Sequence, residues 1–331
     1  MAVSGSLCLM AWRIARMLSL IDMPDGPNGR KRHAGPTPLV GGLAVILPLL
    51  GGLLLVPLGS LPFAATLGFA ALAMLFLGMA DDRVHLSPVL RLAIATMVLM
   101  IAIVVGEDFN LGALYFSFVH GVFGIGYLGG AALALLCLLG LQNAVNMADG
   151  KNGLVIGLAM IWTGFLILTA PAGLRPILFI LLAALAVTWL FNLSGRLFLG
   201  DGGSYAISIA IGLLAIYSYN QQAVLLPADV VALWFLVPVL DCLRLIVARL
   251  RRGMGPFTPD RSHFHHILAD NLPWSAGLAV YLGMVAVPGL IAIAMPDMTP
   301  LLFVVTILTY SLIYVTMTRL QLIAAEMGEM Q

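Results

Sequence analysis

Polar side chains are so scarce along this chain that the places where its apolar runs stop decide how it can fold. Of 331 residues, 61% are hydrophobic and 9% charged. A soluble domain carries about 25% charged residues, and a soluble core divides beyond about 250–300 residues. No polar linker marks such a division here. A soluble globular fold, a disordered chain and a nucleic-acid binder are therefore poor readings. One helical span takes about 20 apolar residues and a short connection about 10 more, which leaves room for about eleven spans.

The apolar runs bear this out, falling near 4–20, 39–58, 62–80, 88–106, 122–142, 153–170, 175–193, 203–219, 228–248, 274–295 and 300–320. The expected fold is all-α: one polytopic transmembrane domain over 1–331 with about eleven helices. The first run is the weakest, being short before Arg13. It carries no small-residue cleavage site, so no cleavable signal peptide is expected. Cys8, Cys137 and Cys242 lie in or beside apolar runs without C-x-x-C spacing and read as small core residues.

Orientation follows from the basic residues. Loops 21–38, 81–88, 143–152, 194–203 and 249–273, the C-terminal tail and the adjoining helix ends hold every Lys and Arg except Arg175, fifteen of 16. That face is expected to be cytoplasmic, with the amino terminus outside and the carboxyl terminus inside. Glu107, Asp108, Asp229 and Asp297 fall on the outer side. Asp81, Asp82, Asp149, Asp201 and Asp260 fall on the inner side, with every histidine but His120. Reactive groups gathered on one face suggest an enzyme working at the inner membrane surface.

Five constellations carry the chemistry. Asp81-Asp82-Arg83 follows an apolar run directly. Two adjacent carboxylates near hydrocarbon need an offsetting cation, either a metal or a neighbour such as Arg83; a solvated helix end is the bland alternative. Asn143, Asn146 and Asp149 are spaced three apart, so on a helix they share a face. Gly150 and Gly153 follow, with Lys151 and Asn152 between them. Amide and carboxylate oxygens suit a hard cation such as Mg²⁺, although asparagines also cap helix ends. Gly200-Asp201-Gly202-Gly203-Ser204 is a glycine-rich turn opening a helix, a phosphate-binding arrangement if a metal lies between Asp201 and the phosphate. Arg261, His263, His265 and His266 sit in the longest inner loop. Arg261 can clamp phosphate oxygens, and without a nearby cysteine the histidines suit a diphosphate or sugar better than zinc. Arg30, Lys31, Arg32 and His33 form a basic run that serves either as a topology signal for anionic lipid or as a cradle for a lipid phosphate. Loops this far apart converge only around something polyanionic.

Together, "RKRHAGPTPLVGG", "DDR", "NAVNMADGKNGL", "GDGGS" and "PDRSHFHH" resemble the polyprenyl-phosphate N-acetylhexosamine-1-phosphate transferases over nearly the whole chain. The last motif looks like the bacterial branch that begins O-antigen, common-antigen or teichoic-acid linkage units. The resemblance implies a Mg²⁺-dependent reaction, with Mn²⁺ as a substitute, at the cytoplasmic face of the bacterial inner membrane. A UDP-N-acetylhexosamine, GlcNAc by default, would give sugar-1-phosphate to undecaprenyl phosphate and release UMP. It implies that Asp201 binds metal with Asp149 or Asn146 nearby, and that Asp81 and Asp82 orient or deprotonate the lipid phosphate. Asn152 would contact uracil, and Arg261, His263, His265 and His266 would hold the diphosphate and sugar. Three features depart from the pattern: His85 where many relatives carry an acid, Asn152 in place of an Asp, and a longer segment before the basic run. A homodimer is compatible with the sequence, which selects no oligomeric state. Two rivals are an ion-coupled transporter, which would carry acids near mid-membrane in repeated halves, and a phospho-MurNAc-pentapeptide transferase.

Overall fold

The computed structural model describes residues 1–24, 35–56, 61–222, 225–256, 258 and 262–329. Among them the chain is built almost wholly of helices: α1 (Ala2–Leu9), α2 (Ala11–Leu18), α3 (Gly41–Leu55), α4 (Leu61–Val84), α5 (Pro88–Val105), α6 (Gly126–Ala148), α7 (Leu154–Thr169), α8 (Arg175–Leu193), α9 (Gly200–Gln222), α10 (Ala228–Trp234), α11 (Leu236–Arg251), α12 (Phe264–Asn271), α13 (Trp274–Ala294) and α14 (Thr299–Glu329). Two antiparallel pairs complete it. β1 (Ile21–Asp22) pairs with β2 (Thr37–Pro38), and β3 (Ala113–Phe116) with β4 (Val119–Gly124).

Seven helices among the described residues are long and apolar enough to cross a membrane, and eight if the bent pair α10–α11 is one span. The protein is therefore an all-α, multi-pass membrane protein. α3 and α7 are apolar but shorter. The expected first span is two short helices broken at Met10. The expected span near 122 starts later, because 119–124 is the second strand of the hairpin.

The 68° bend between α10 and α11 has a local cause. Pro238 has no N–H to donate to the carbonyl four residues back, which is that of Trp234. The buried Trp162 indole donates to this carbonyl instead, at 2.8 Å. Such substitution is what keeps a broken helix viable away from water.

Helix α9 is the central post. Its apolar window is 94% buried, against 17% for α14. It is reached closely because glycines face it. A Cβ on Gly42 of α3 would lie 2.5 Å from Gly203 Cα, and one on Gly78 of α4 would collide with the Asp201 backbone. Exposed Leu, Val and Phe side chains cover the peripheral helices, as expected where the solvent is lipid.

Helices α3 to α9 alternate in direction about one end of the bundle. The start of α3 donates from Gly41 and Gly42 to the carbonyls of Phe198 and Leu199, just before α9. The end of α4, the start of α5, the end of α6 and the start of α9 meet there through side chains. Gly153 before α7 bonds Asn192 at the end of α8. At the opposite end, Asp229 of α10 accepts from the Ser117 amide (2.9 Å) and hydroxyl (2.5 Å), clipping the hairpin to the bundle.

Candidate active site

Asp82, in the last turn of α4, caps a different helix. Its Oδ1 accepts from the Asp201 amide at 3.0 Å and its Oδ2 from the Gly202 amide at 3.2 Å. These are first-turn donors of α9, which no bond inside that helix satisfies, and the helix dipole favours an anion beside them. Asp81, one residue earlier, is 3% exposed and engaged elsewhere. It accepts from Arg91 Nη1 at 2.6 Å, the Tyr205 hydroxyl at 3.0 Å and the Leu86 amide at 2.9 Å. The left-handed backbone of His85 (φ 51°) permits the last of these, histidine being among the residues that tolerate it. Asp81 thus carries its own counter-ion and ties α4 to α5 and α9.

Asn146, in the last turn of α6, donates from Nδ2 to Asp201 Oδ1 at 2.6 Å and to Ser204 Oγ at 3.2 Å. So placed, its Nδ2 is committed to Asp201 and Ser204. Asp149 lies just past the end of α6 and is partly buried. Burial first, and the charge of Asp82 second, push its carboxyl up to about 7. Asn143, one turn earlier on α6, donates from Nδ2 to Leu139 O of its own helix at 2.8 Å.

The histidine loop arrives at the same turn. Gly150 packs directly on His265 Nε2, leaving no room for a Cβ. His265 is 1% exposed, and neither of its ring nitrogens has a hydrogen-bond partner among the described residues. Burial, then His266 and His263, hold its pKa well below the usual histidine value, so the ring is neutral. His263 stacks on His265 with centroids 5.3 Å apart, and His266 lies 4.3 Å from His265. Asn152 is fixed through its carbonyl, which accepts from Trp274 Nε1 at 2.8 Å. Arg30, Lys31, Arg32, His33 and Arg261 lie outside the described residues.

Three anchors carry no motif: Arg91, Tyr205 and Asp241. Asp241 had a signal in the sequence, being an acid inside an apolar run three residues before Arg244, an ion-pair spacing on a helix.

Among the described residues, the ion pairs engage Asp81 and Asp241. Asp82, Asp149 and Asp201 are gathered with no described cation paired to them. No three His, Cys, Asp or Glu side chains among the described residues form a metal cage. A hard cation such as Mg²⁺ needs none, since it binds one or two carboxylates and takes further oxygens from substrate phosphates and water. Asp201 and Asp149 fit that requirement.

The comparisons agree with this geometry. Residues 64–219, from α4 to α9, match the profile of Glycosyl transferase family 4. The undecaprenyl-phosphate alpha-N-acetylglucosaminyl 1-phosphate transferase of Escherichia coli (strain K12) is 32% identical over 271 residues, 78% of this chain and 71% of that one. The Yersinia pestis protein of the same name is 33% identical over 272 residues, 77% and 72% of the two chains. The probable undecaprenyl-phosphate N-acetylglucosaminyl 1-phosphate transferase of Bacillus subtilis (strain 168) is 26% identical over 260 residues, 77% and 72%. The chain belongs to glycosyl transferase family 4, on the branch of the undecaprenyl-phosphate N-acetylglucosaminyl 1-phosphate transferases.

Proposed function

We propose that this protein transfers N-acetylhexosamine-1-phosphate, GlcNAc-1-phosphate first among the candidates, from a UDP-sugar to undecaprenyl phosphate. The products are UMP and an undecaprenyl-diphosphate-sugar that begins a cell-surface polysaccharide. The observation that carries the reading is the juxtaposition of Asp82, Asp149 and Asp201 with a histidine cluster in which the ring nitrogens of the buried His265 have no hydrogen-bond partner among the described residues. One half suits a cation and phosphates; the other suits a polar ligand.

The chemistry needs little proton transfer. A phosphate monoester has a second pKa of about 6, so at neutral pH the acceptor is already an oxyanion. One of its oxygens attacks the sugar-bearing phosphorus of the donor in line. The bond from that phosphorus to the bridging oxygen breaks, and UMP leaves with the electron pair. Positioning and charge neutralisation carry most of such a rate. Mg²⁺, or Mn²⁺ in its place, held by Asp201 and Asp149 would offset the charge of the diphosphate. Asn146 holds Asp201 in place, and Asp82 fixes the start of α9 on which Asp201 sits. Asp81, held by three donors, is an orienting residue in this reading and not a base. Asn152 serves the uracil, and the histidines with Arg261 serve the diphosphate and sugar. The run from Arg30 to His33 serves the lipid phosphate.

In this reading the end of the bundle that carries the basic residues faces the cytoplasm, and the membrane is a bacterial inner membrane. Eleven crossings, with the amino terminus outside and the carboxyl terminus inside, complete the topology. Asp81, Asp82, Asp149 and Asp201 sit at helix ends and not at mid-membrane, which disfavours an ion-coupled transporter.

The test is incubation of the purified protein with UDP-[³H]GlcNAc, undecaprenyl phosphate and Mg²⁺. Labelled lipid and stoichiometric UMP are expected. No labelled lipid and no UMP from any UDP-N-acetylhexosamine would sink the reading. Turnover of UDP-MurNAc-pentapeptide alone would replace it with the peptidoglycan-precursor reaction.

A further inference from the structure

We propose that Asp241 is a positioning residue for the donor-binding histidines, acting through His263. The proposal deepens the transferase reading and rests on it.

Asp241 is 4% exposed in the middle of α11, and groups from three segments converge on it. Arg244 Nη2 donates to its Oδ1 at 2.8 Å, and the Tyr310 hydroxyl of α14 at 2.7 Å. The Phe264 amide, at the start of α12, lies 3.2 Å from both oxygens. His263 Nδ1 stands 3.4 Å from Oδ2, at ion-pair range but out of line for a hydrogen bond, and no other described group bonds it. Arg244 extends the grip, since its Nη2 also donates to Ser262 O at 2.6 Å and its guanidinium lies 4.3 Å over the Tyr314 ring. Three successive residues, Ser262, His263 and Phe264, are therefore held by their carbonyl, ring and amide.

Capping alone does not require this. A cap needs one acceptor for the α12 amides, which an asparagine or serine supplies without burying charge. A buried ion pair adds little net stability over well-packed apolar residues, and its best-attested use is to specify one arrangement. The arrangement specified here is the ring of His263. With Nδ1 turned to a carboxylate, the proton belongs on Nδ1 and the far edge, Nε2, is left for a ligand. His263 in turn stacks on His265, which presses on Gly150 beside Asp149. The carboxylate thus sets the distance between the histidine edge and the acidic cluster without itself touching substrate.

Partners that orient a ligand-binding histidine typically matter about 10–100-fold. Asp241→Asn keeps the shape and an acceptor for Phe264 but offers an amide N–H to His263. The proton should move to Nε2. Steady-state kinetics should show the KM for UDP-GlcNAc raised about tenfold or more, with the KM for undecaprenyl phosphate within about twofold. Tyr310→Phe removes one donor from Asp241 and leaves His263 untouched; it should stay within about threefold of wild type on both substrates. The ¹⁵N spectrum of histidine-labelled wild-type protein, assigned with His263→Gln, should show the Nδ1–H tautomer. This readout needs neither turnover nor a stable Asp241 variant. An Nε2–H tautomer in the wild type overturns the proposal. So does a wild-type donor KM in Asp241→Asn, or an equal loss on both substrates that tracks a loss of thermal stability. If the wild-type protein transfers no sugar, the function fails, and the tautomer alone still decides whether Asp241 sets the ring.

Discussion

Replacing Asp82 separates two roles that its position combines. The carboxylate receives two amide bonds, at 3.0 and 3.2 Å, from the start of α9. Removing a helix cap costs about 0.5–2 kcal/mol. Because these bonds go to a charged group and one residue of α4 holds another helix, Asp82→Ala should fall near the upper end, about 2 kcal/mol. Asp82→Asn keeps one oxygen for the Asp201 amide but turns an N–H₂ toward the Gly202 amide, donor against donor. About half the stabilisation survives, so the loss is about 1 kcal/mol. Activity should divide differently. If the charge of Asp82 helps to place the cation or the acceptor phosphate, both variants lose it fully, at about 100-fold in rate, equal to about 2.7 kcal/mol. The assay pairs thermal unfolding in detergent, without divalent cation, with initial rates of lipid labelling across about pH 6–9. Equal destabilisation of the two variants would refute the capping argument. Retention of rate within a few-fold in Asp82→Asn at every pH would show that the charge has no part in the reaction, as base or otherwise.

Other perturbations test neighbouring features. Asp81→Ala strands Arg91 against Tyr205; losing one partner of a buried pair costs about 3–5 kcal/mol, at the low end here because Arg91 is 25% exposed. A thermal double-mutant cycle with Arg91→Ala should return a coupling of about 1–2 kcal/mol, and simple additivity would refute the pair. Gly42→Ala puts a Cβ 2.5 Å from Gly203 Cα. α3 and α9 must then part, at about 1–3 kcal/mol, visible as a lower unfolding temperature; an unchanged one would contradict the close packing. The Asp149 carboxyl sits at about 7 when folded against an ordinary 3.8. A raised acid pKa means that the folded chain holds the extra proton. Without divalent cation, the contribution of this group to stability should be greatest below about pH 4 and decline as pH rises through about 7. Asp149→Asn should flatten that decline in thermal scans with EDTA, and an undiminished slope would assign it to another group.

The helices were legible because a span is a solvent requirement before it is a packing solution. From residue 39 onward each apolar run became a helix, and the bent α10–α11 pair fell inside one run. The site was legible for the complementary reason: in so apolar a chain, Asp82, Asn146, Asp149, Asp201 and His265 stand out, and the helix ends bring them together. What stayed hidden depends on direction in three dimensions. Three-residue spacing does not show that Asn146 reaches Asp201 of α9 while Asn143 bonds back to its own helix. Asp81 and Asp82 are adjacent in the chain but serve different partners, since successive residues on a helix point about 100° apart. Arg91, Tyr205 and Asp241 lie inside apolar runs, where local pattern cannot show that one polar side chain meets another 69 to 124 residues away. The break at Met10 and the 113–124 hairpin likewise leave no mark in an average over apolar residues.

The burial of α9 constrains its sequence. A post enclosed on nearly every side, with helices touching it glycine to backbone, allows almost no substitution without moving its neighbours. The stretch that matches the family profile ends inside it, at residue 219. The histidine loop is carried beyond that point, on α11, α12 and α14, where Tyr310, Arg244 and Asp241 are among the groups that moor it. A side chain added to α9 would therefore be felt at the acidic site, because Asp201 and Ser204 stand on its first turn.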